Sequence, residues 1–341
     1  MPAVAAFSRR VCYSRGVTTL VTGGTGFVGS AVVRRLLVAG HRVRALVREK
    51  TPRDNLAGLD VEIAVGDLTD PASLDRAIRG CDAVFHVAAD YRLWAPDPAV
   101  MRRNNIDGTR NVMDAALAGG VRRVVYTSSI ATLATRDDGP PTDEDTPVTV
   151  EDMVSEYKRT KFLAEEVVRE RVTDAALPAV IVNPATPLGP RDIKPTPTGR
   201  MLSDAVHGRM PAYVDMGMNI VHVDDVADGH VRAFERGRIG ERYVLGGENT
   251  TLRDILARVA ALVGRRPPRF RAPRGLLFPI AYAAEVIART TGWDPPLSVD
   301  AIRMSRLREH YTSDKAVREL GYAPRPGDDA IRDAVEWFRA R

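Results

Sequence analysis

The stretch VTGGTGFVGS, residues 21–30, constrains the fold of this chain more than any other segment. Its four glycines lie between the β-branched run VTTLVT (17–22) and a helical pattern over 27–39. Two glycine patterns overlap there, G-x-G-x-x-G at 24–29 and T-G-x-x-G-x-x-G at 22–29. A strand, a tight turn and a helix N-terminus in this order predict a turn that binds the phosphates of a dinucleotide, rather than a flexible loop. The residues predicted to line the cofactor there are Gly23, Thr25, Gly26, Phe27, Val28 and Gly29.

Strand-like and helix-like segments alternate through the first half of the sequence. The β-branched runs predict strands at 17–22, 42–47, 61–65, 82–88, 122–128 and 178–183. Helical periodicity and length predict helices at 27–39, 71–79, 98–118 and 151–171. Strands separated by helices imply βαβ units, so we expect an α/β fold with a doubly wound, parallel Rossmann sheet.

The pattern changes after Asn183. A proline-rich loop over 183–200 precedes a helix at 200–208, a strand-like run at 219–227, a helix to about 236 and a strand at 242–247. A helix at 251–263 and the apolar segment 276–288 follow. We therefore predict a disordered tail (1–16), a dinucleotide-binding domain (17–183) and a smaller substrate-binding lobe (184–341), with 219–247 returning to the sheet.

Charge and composition exclude several function classes. The formal net charge is +5, but Arg9, Arg10 and Arg15 supply three of these charges, which leaves +2 (5 minus 3) for the body and disfavours nucleic-acid binding. Two cysteines and six scattered histidines predict no metal site and no disulfide framework, as in a reducing cytoplasm. No apolar run reaches the roughly 18 residues of a membrane span.

The residues at the end of the second strand indicate which dinucleotide the chain prefers. Arg48 stands where an NAD-binding fingerprint places an acidic residue, and Glu49 follows it. An arginine there can pair with the 2′-phosphate of NADP(H), which we favour, while NAD(H) stays open if Glu49 takes the ribose hydroxyl. Asp67, followed by Leu68, comes after the third strand and is predicted beside the adenine.

The segment SEYKRTK contains a tyrosine and a lysine at helical spacing. Tyr157 and Lys161 are four residues apart and therefore share a helix face. A nearby lysine cation and the positive charge of oxidised nicotinamide favour the phenolate, so Tyr157 can exchange a proton with a substrate oxygen while hydride moves. Ser128 and Ser129 end the fifth strand, where α/β sheets bind ligands, and we prefer Ser129 as the hydroxyl that holds the substrate oxygen.

Together these residues resemble the extended short-chain dehydrogenase/reductase superfamily. Further similar motifs are HVAA (86–89), NNIDGTRNVM (104–113), NPATPLGP (183–190) and VHVDDVADGH (221–230). The resemblance implies that Ala88 and Ala89 pass near the cofactor ribose, that Asn105 supports the active site, and that Asn183 and Pro184 flank the nicotinamide. It also implies a homodimer that pairs helices 98–118 and 151–171.

Different segments of the sequence resemble two different branches of the superfamily. VRALVRE and VVYTSSIATL resemble dihydroflavonol reductases, which implies reduction of a ketone or aldehyde by NADPH. HVAADYRLWAPDP, RDIKPTPTGR, GRMPAYVDMGMNIVHVDDVA and GERYVLGGENTTL resemble the bacterial hopanoid-associated sugar epimerase family. That likeness implies a sugar, nucleotide-sugar or sugar-bearing lipid as substrate. A non-catalytic NADP-binding sensor or scaffold is the third alternative, disfavoured because the Tyr–Lys–Ser set is complete.

Several residues of the second half are candidate substrate ligands. Lys194, Arg200 and Arg209 are predicted to meet a phosphate or pyrophosphate, against the alternative of a solvated basic loop. Tyr91, Trp94 and Tyr213 are predicted to form an apolar or sugar-stacking wall, against ordinary packing.

A basic and apolar segment lies near the C-terminus. RRPPRFRAPRGLLFPIAYAAEVIA (265–288) places five arginines before an apolar helix. This pattern is typical of peripheral contact with a membrane surface, here the inner membrane, and the alternative is a helix that caps the substrate pocket.

Overall fold

The computed structural model describes residues 16–136, 138–293, 295 and 297–341. The disordered tail predicted at 1–16 lies, except for Gly16, outside the described residues.

Seven parallel strands form the central sheet, in the order β3-β2-β1-β4-β5-β6-β10, with numbers following the chain. The chain reverses its direction of winding between β1 and β4, which is the topological switch point where such sheets bind ligands. The predicted α/β Rossmann class is therefore confirmed. The strands are β1 (Thr18–Thr22), β2 (Arg42–Val47), β3 (Val61–Val65), β4 (Ala83–His86), β5 (Arg123–Thr127), β6 (Ala179–Pro184) and β10 (Arg242–Leu245).

Helices cover both faces of this sheet, each over its own apolar cluster. One cluster joins the sheet to α1 (Phe27–Val38) and α7 (Val223–Arg236), which pack against each other. The other joins it to α2 (Pro71–Ile78), α4 (Gly108–Ala118) and α5 (Glu156–Ala175). The inner strands of the sheet are buried on both faces, which explains why their sequences are almost continuously apolar, whereas the edge strand β3 is only partly buried.

Two helices of the first half differ from the sequence prediction. The helix expected at 98–118 is interrupted, with α3 (Pro98–Arg102) and α4 joined by a π-helical turn at Arg103–Asp107. The helix expected at 151–171 begins only at Glu156, because the Ser155 hydroxyl accepts the Lys158 N–H and caps α5 there. Residues Val150–Asp152 form a separate 3₁₀ turn, as do Asp54–Leu56 and Ile130–Thr132.

The second half forms smaller sheets and a third apolar cluster. Strands β7 (Thr186–Leu188), β9 (Gly217–His222) and β11 (Glu248–Thr251) make one sheet, and β8 (Ala212–Tyr213) pairs with β12 (Phe270–Arg271). The loop expected at 183–200 thus contains a strand. The helices are α6 (Pro197–Val206), α8 (Leu252–Leu262), α9 (Arg274–Thr291), α10 (Val299–Met304), α11 (Asp314–Leu320) and α12 (Gly327–Arg339). The cluster lies between α6, α8, α12 and β9.

Only part of the segment 219–247 returns to the central sheet. β10 pairs with β6 there, whereas β9 pairs with β7 and β11 in the smaller sheet. The strand expected to reach 227 ends at His222, because the His222 ring accepts the Asp224 N–H and caps α7. The division into two domains stays a prediction.

Two histidines are buried in the central sheet region. The His86 ring lies 2.7 Å from Thr22 Oγ1 and 3.1 Å from Thr109 Oγ1, and burial, helped by the Lys161 charge, lowers its pKa to about 3. The His230 ring contacts Thr127 Oγ1 at 2.9 Å, and burial lowers its pKa to about 4. Both rings are therefore neutral in the folded chain at pH 5.

This burial predicts a loss of stability in mild acid. Each histidine takes up a proton in the unfolded chain below its ordinary pKa of about 6.5 but not in the folded chain, so stability is full above that pH and falls toward the folded values. We expect each to contribute about 2 kcal/mol to the loss of unfolding free energy between pH 7.5 and pH 5. His86→Gln should reduce that loss by about the same amount in urea unfolding. His207→Gln, at an exposed position, is the control; an unchanged loss in His86→Gln would contradict the prediction.

Candidate functional site

The glycine turn is too tightly packed for side chains. It leaves β1 with Gly23 at φ +71°, and the Gly26 N–H donates to Gly23 O at 2.9 Å. A Cβ on Gly23 would lie 2.7 Å from Ala88 N, and one on Gly29 would lie 2.0 Å from Gly23 O. α1 then begins at Phe27, and no side chain in the described part of the chain caps it, so its first N–H groups can bind an anion. Thr25 and Val28 lie half-buried beside the turn.

The ends of β1 and β4 meet at the switch point. Thr22 Oγ1 accepts the Ala88 N–H at 3.2 Å and also contacts His86. Ala88 and Ala89 follow β4 and are half-buried, on the side of the sheet edge where the glycine turn lies. Backbone atoms rather than side chains therefore line this edge, as a ribose or pyrophosphate requires.

Arg48 follows β2 and Asp67 follows β3, close enough for the Arg48 charge to act on the Asp67 carboxyl. Arg48 directly follows β2 and is exposed. Burial raises the pKa of Asp67, but hydrogen bonds from Thr69 and the Arg48 charge outweigh it, so the net shift is downward. Leu68 O accepts the Asn111 side-chain N–H at 2.9 Å, which ties this segment to α4.

Tyr157 and Ser129 form a hydroxyl pair at the end of β5. The Ser129 hydroxyl lies near the Tyr157 phenol and favours the phenolate, but burial and the Glu309 charge outweigh it and raise the pKa of Tyr157 overall. The groups of the protein therefore raise this pKa, whereas the sequence predicts a lowering. Ser128, the alternative hydroxyl, instead donates to Glu165.

Lys161 lies on the same face of α5 as Tyr157, and its side chain is buried. Its ammonium donates to Thr127 O at 2.8 Å and approaches Tyr126 Oη at 3.5 Å. Burial lowers its pKa to about 8, and the Glu165 carboxylate opposes that shift. Within the described chain, the hydrogen bonds of Lys161 therefore go to groups at the end of β5 and not to Tyr157.

Glu165 is a residue of this site that the sequence reasoning missed. Its buried carboxylate accepts hydrogen bonds from Ser128, Thr132 and Asn183, and Arg242 Nη1 lies 3.3 Å from it. The available signal was its spacing, because Glu165 follows Lys161 by four residues and shares its helix face.

Two asparagines hold the surrounding segments. Asn105, in the π-helical turn, accepts the Asp90 N–H at 2.7 Å and donates to Asp90 O and to Thr160 Oγ1. It therefore fixes the segment after β4 against α5. Asn183 donates to Ser129 O at 3.1 Å, and its own Oδ1 is buried without a partner among the described residues. Pro184, the next residue, ends β6.

The predicted substrate residues fall into two groups. Tyr91 lies close enough to Asp192 and Arg200 for their charges to act on it. Burial and the charges of Asp192 and Asp90 raise the pKa of Tyr91, whereas the Arg200 charge lowers it. Asp192, which the sequence reasoning missed, is buried, and burial raises its pKa to about 6. Trp94 is half-buried after Tyr91, and Lys194 is exposed in the same loop as Asp192.

The second group has other surroundings. Arg209 pairs with Asp204 at 3.0 Å on the surface, and Tyr213 packs against the apolar cluster of the second half.

These residues fit a nicotinamide dinucleotide. The turn is so closely packed that added Cβ atoms would collide with its backbone. A helix N-terminus without a side-chain cap follows it, and the Asn183 side-chain carbonyl offers a buried acceptor. For a metal the result differs: among the described residues no group of three or more histidine, cysteine or acidic side chains is placed to bind an ion.

Comparison with known proteins gives consistent matches. The model of the NAD dependent epimerase/dehydratase family matches residues 19–246. A Synechocystis sp. protein provisionally named a dihydroflavonol 4-reductase is 42% identical over 94% of both chains. "Sterol demethylase protein B" of Methylococcus capsulatus is 37% identical over 95% of this chain and 99% of its own. A "4-hydroxy-2-methyl-3-oxo-4-farnesyl-3,4-dihydroquinoline-1-oxide ketoreductase" of Stigmatella aurantiaca is 33% identical over 93% and 96%.

Solved structures agree with this. The crystal structure of gox2253 is 53% identical, with a TM-score of 0.85 over 95% of this chain and 98% of its own. A nucleoside-diphosphate-sugar epimerase from Pseudomonas aeruginosa is 30% identical, with a TM-score of 0.77 over the same shares.

The buried carboxylate of Glu165 predicts the behaviour of Lys161. Glu165→Gln removes the charge that opposes desolvation, so the pKa of Lys161 should fall below its value of about 8. Arg242 loses its buried partner as well, and we expect a loss of about 3 kcal/mol in unfolding free energy. Labelled-lysine NMR can follow the titration, since the chain has five lysines and Lys161→Arg assigns the signal.

The matched control is the neighbouring residue. Glu166 is partly exposed on the same helix and pairs with Arg169, so Glu166→Gln should change stability by less than about 1 kcal/mol. An unshifted Lys161 titration in Glu165→Gln would show that the carboxylate does not act on the lysine.

Proposed function

Since the chain belongs to the NAD dependent epimerase/dehydratase family and is an NAD(P)-dependent enzyme, we propose that it reduces a carbonyl group, or oxidises the corresponding carbinol, with NADP(H). The observation that carries the proposal is the position of Tyr157 beside Ser129 at the end of β5, with Lys161 on the same helix face. This arrangement offers a proton and a hydrogen bond to one substrate oxygen.

The reaction divides between the cofactor and the protein. When bound, the dinucleotide supplies a hydride to the carbonyl carbon, or takes one from the carbinol. Ser129 holds the substrate oxygen, and Tyr157 donates its phenolic proton to that oxygen in reduction or removes it in oxidation. Lys161 stabilises the phenolate through its charge. The glycine-turn amides and the first turn of α1 would hold the pyrophosphate, and Asn183 would face the nicotinamide.

The preference for NADP(H) rests on Arg48. It is exposed directly after β2, close enough to Asp67 for its charge to act on that carboxyl. Its guanidinium can pair bidentately with a 2′-phosphate. Asp67 and Leu68 would then lie along the adenine.

We further propose a lipophilic substrate. The support comes from relatives whose names refer to a sterol and to the reduction of a farnesylated ketone. A polycyclic hopanoid-linked substrate, as the sequence resemblance implies, is compatible with this class.

A second candidate is epimerisation of a nucleotide sugar. It is favoured by the Pseudomonas neighbour and by the polar group of Tyr91, Asp192 and Arg200. An epimerase returns its hydride to the same substrate and retains its cofactor, whereas a reductase consumes NADPH. Release of the bound cofactor from the purified protein, followed by an assay of NADPH loss with a panel of ketones, separates the two.

Assembly and location stay predictions. A homodimer through α4 and α5 would bring together faces that carry the ion pairs Arg171–Asp114 and Arg102–Glu156. We also expect a cytoplasmic enzyme.

Arg48 provides a test of cofactor choice. Arg48→Ala should weaken NADPH binding by about tenfold to hundredfold, the loss expected for a charge-assisted hydrogen bond, and leave NADH binding within about twofold. Fluorescence titration measures both. Arg42→Ala, at the other end of β2, is the control; equal losses for NADPH and NADH would refute the 2′-phosphate contact.

Tyr157 provides the test of the reaction itself. Tyr157→Phe should lower kcat at least about a hundredfold, because the substrate oxygen loses its proton donor, with little change in NADPH affinity. Tyr282→Phe, at an exposed position on α9, should keep the wild-type rate. Turnover retained by Tyr157→Phe would remove this tyrosine from the mechanism.

A further inference from the structure

Helix α9 presents an apolar face to the outside of the molecule. Leu276, Ile280 and Tyr282 are 67%, 59% and 68% exposed, and Val286 and Ile287 are about half exposed. Only Ala281 and Ala288 of the eighteen residues in this helix are buried. Among the described residues, this is the largest group of exposed large apolar side chains on one element.

These side chains form one continuous surface. At 100° per residue, the positions from 276 to 287 named above spread over less than half of the helix circumference. Exposed Phe270 precedes the helix and exposed Trp293 follows it. The only charged residue on this outer face is Arg289, because Glu285 turns inward and accepts the Val299 N–H at 2.7 Å.

Arginines border the apolar face at its N-terminal end. Residues 265–274 contain five arginines, and no acidic residue occurs between 262 and 284. Arg271 pairs with Asp215, and Arg274 donates to Ser305 O. The other three, Arg265, Arg266 and Arg269, are exposed and form no ion pair with the described part of the chain.

We infer that the surface formed by residues 265–293 binds an anionic lipid surface, with the apolar face of α9 inserted and the arginines on the lipid phosphates. The positive charge of the arginines favours anionic lipid over a second copy of the chain on this face. A second copy docked on this face would bring two arginine clusters together without acidic partners, whereas anionic lipid supplies the missing charge. No helix among the described residues is long and apolar enough to cross a membrane, so the contact lies in the plane of the surface.

One helix, α10, would separate the lipid-binding surface from the helix that carries Tyr157. α9 packs on α10, whose Asp300 accepts the Glu156 N–H at 3.1 Å and whose Met304 lies 3.5 Å from Ser155 Oγ. Ser155 and Glu156 begin the helix that carries Tyr157. A lipophilic substrate leaving the membrane would therefore have a short path to the site; this consequence rests on the proposed function, and the binding itself does not.

Vesicle co-sedimentation of the full chain tests the inference. The chain should pellet with phosphatidylcholine vesicles that contain phosphatidylglycerol, and at least about tenfold less with phosphatidylcholine alone or at high salt. Ile280→Ser/Val286→Ser and Arg266→Gln/Arg269→Gln should each weaken the binding about tenfold or more. Val38→Ser/Val317→Ser, which removes exposed apolar side chains from other helices, should bind like the wild type.

Separate measurements keep the outcomes distinct. NADPH binding and thermal unfolding verify that each variant is folded, and turnover of a water-soluble ketone reports the proposed function without involving lipid. Absence of pelleting with anionic vesicles at low salt would overturn the inference, as would equal pelleting of all variants. A dimer that the Ile280→Ser/Val286→Ser change dissolves, without vesicle binding, would assign the face to a second copy and also overturn it.

Discussion

The buried carboxylate of Glu165 connects the elements on which the site is built. It lies on α5, accepts hydrogen bonds from Ser128 and Thr132 after β5 and from Asn183 on β6, and pairs with Arg242 on β10. A charge this deep is tolerated because three hydrogen-bond donors and the Arg242 guanidinium surround it. Its position holds the end of β5 against the helix that carries Tyr157 and Lys161.

The cofactor side of the site depends on the absence of side chains instead. Gly23 and Gly29 let β1, α1 and the segment after β4 approach more closely than any Cβ would allow. The Asn55 amide then links this turn to the second half of the chain, since it donates to Thr25 O and to Arg191 O. Segments that line the proposed cofactor and substrate sites are thus joined by one side chain.

Reduction and epimerisation begin from the same chemistry, which explains why reductases and a sugar epimerase occur together among the similar proteins. Both need a group that exchanges a proton with an oxygen while hydride crosses to or from its carbon. The two reactions differ in whether the cofactor leaves and in what the outer lobe accepts. Under the proposed function, the Tyr–Lys–Ser arrangement defines the class of reaction, and we expect the choice of substrate to depend on the loops around Tyr91 and Asp192.

Much of the fold and part of the site followed from the sequence by itself. The glycine turn, the order of strands and helices, and the common face of Tyr157 and Lys161 depend on interactions within a few residues, so local patterns determine them. The tertiary structure alone decided which distant groups meet. The π-helical turn at Asn105, the partners of Glu165, the raised pKa of Asp192 and the separate settings of Arg209 and Tyr213 all depend on contacts between remote segments. The sequence shows that α9 is apolar, but it does not show that the helix is exposed. Exposure depends on which surfaces the other parts of the chain cover.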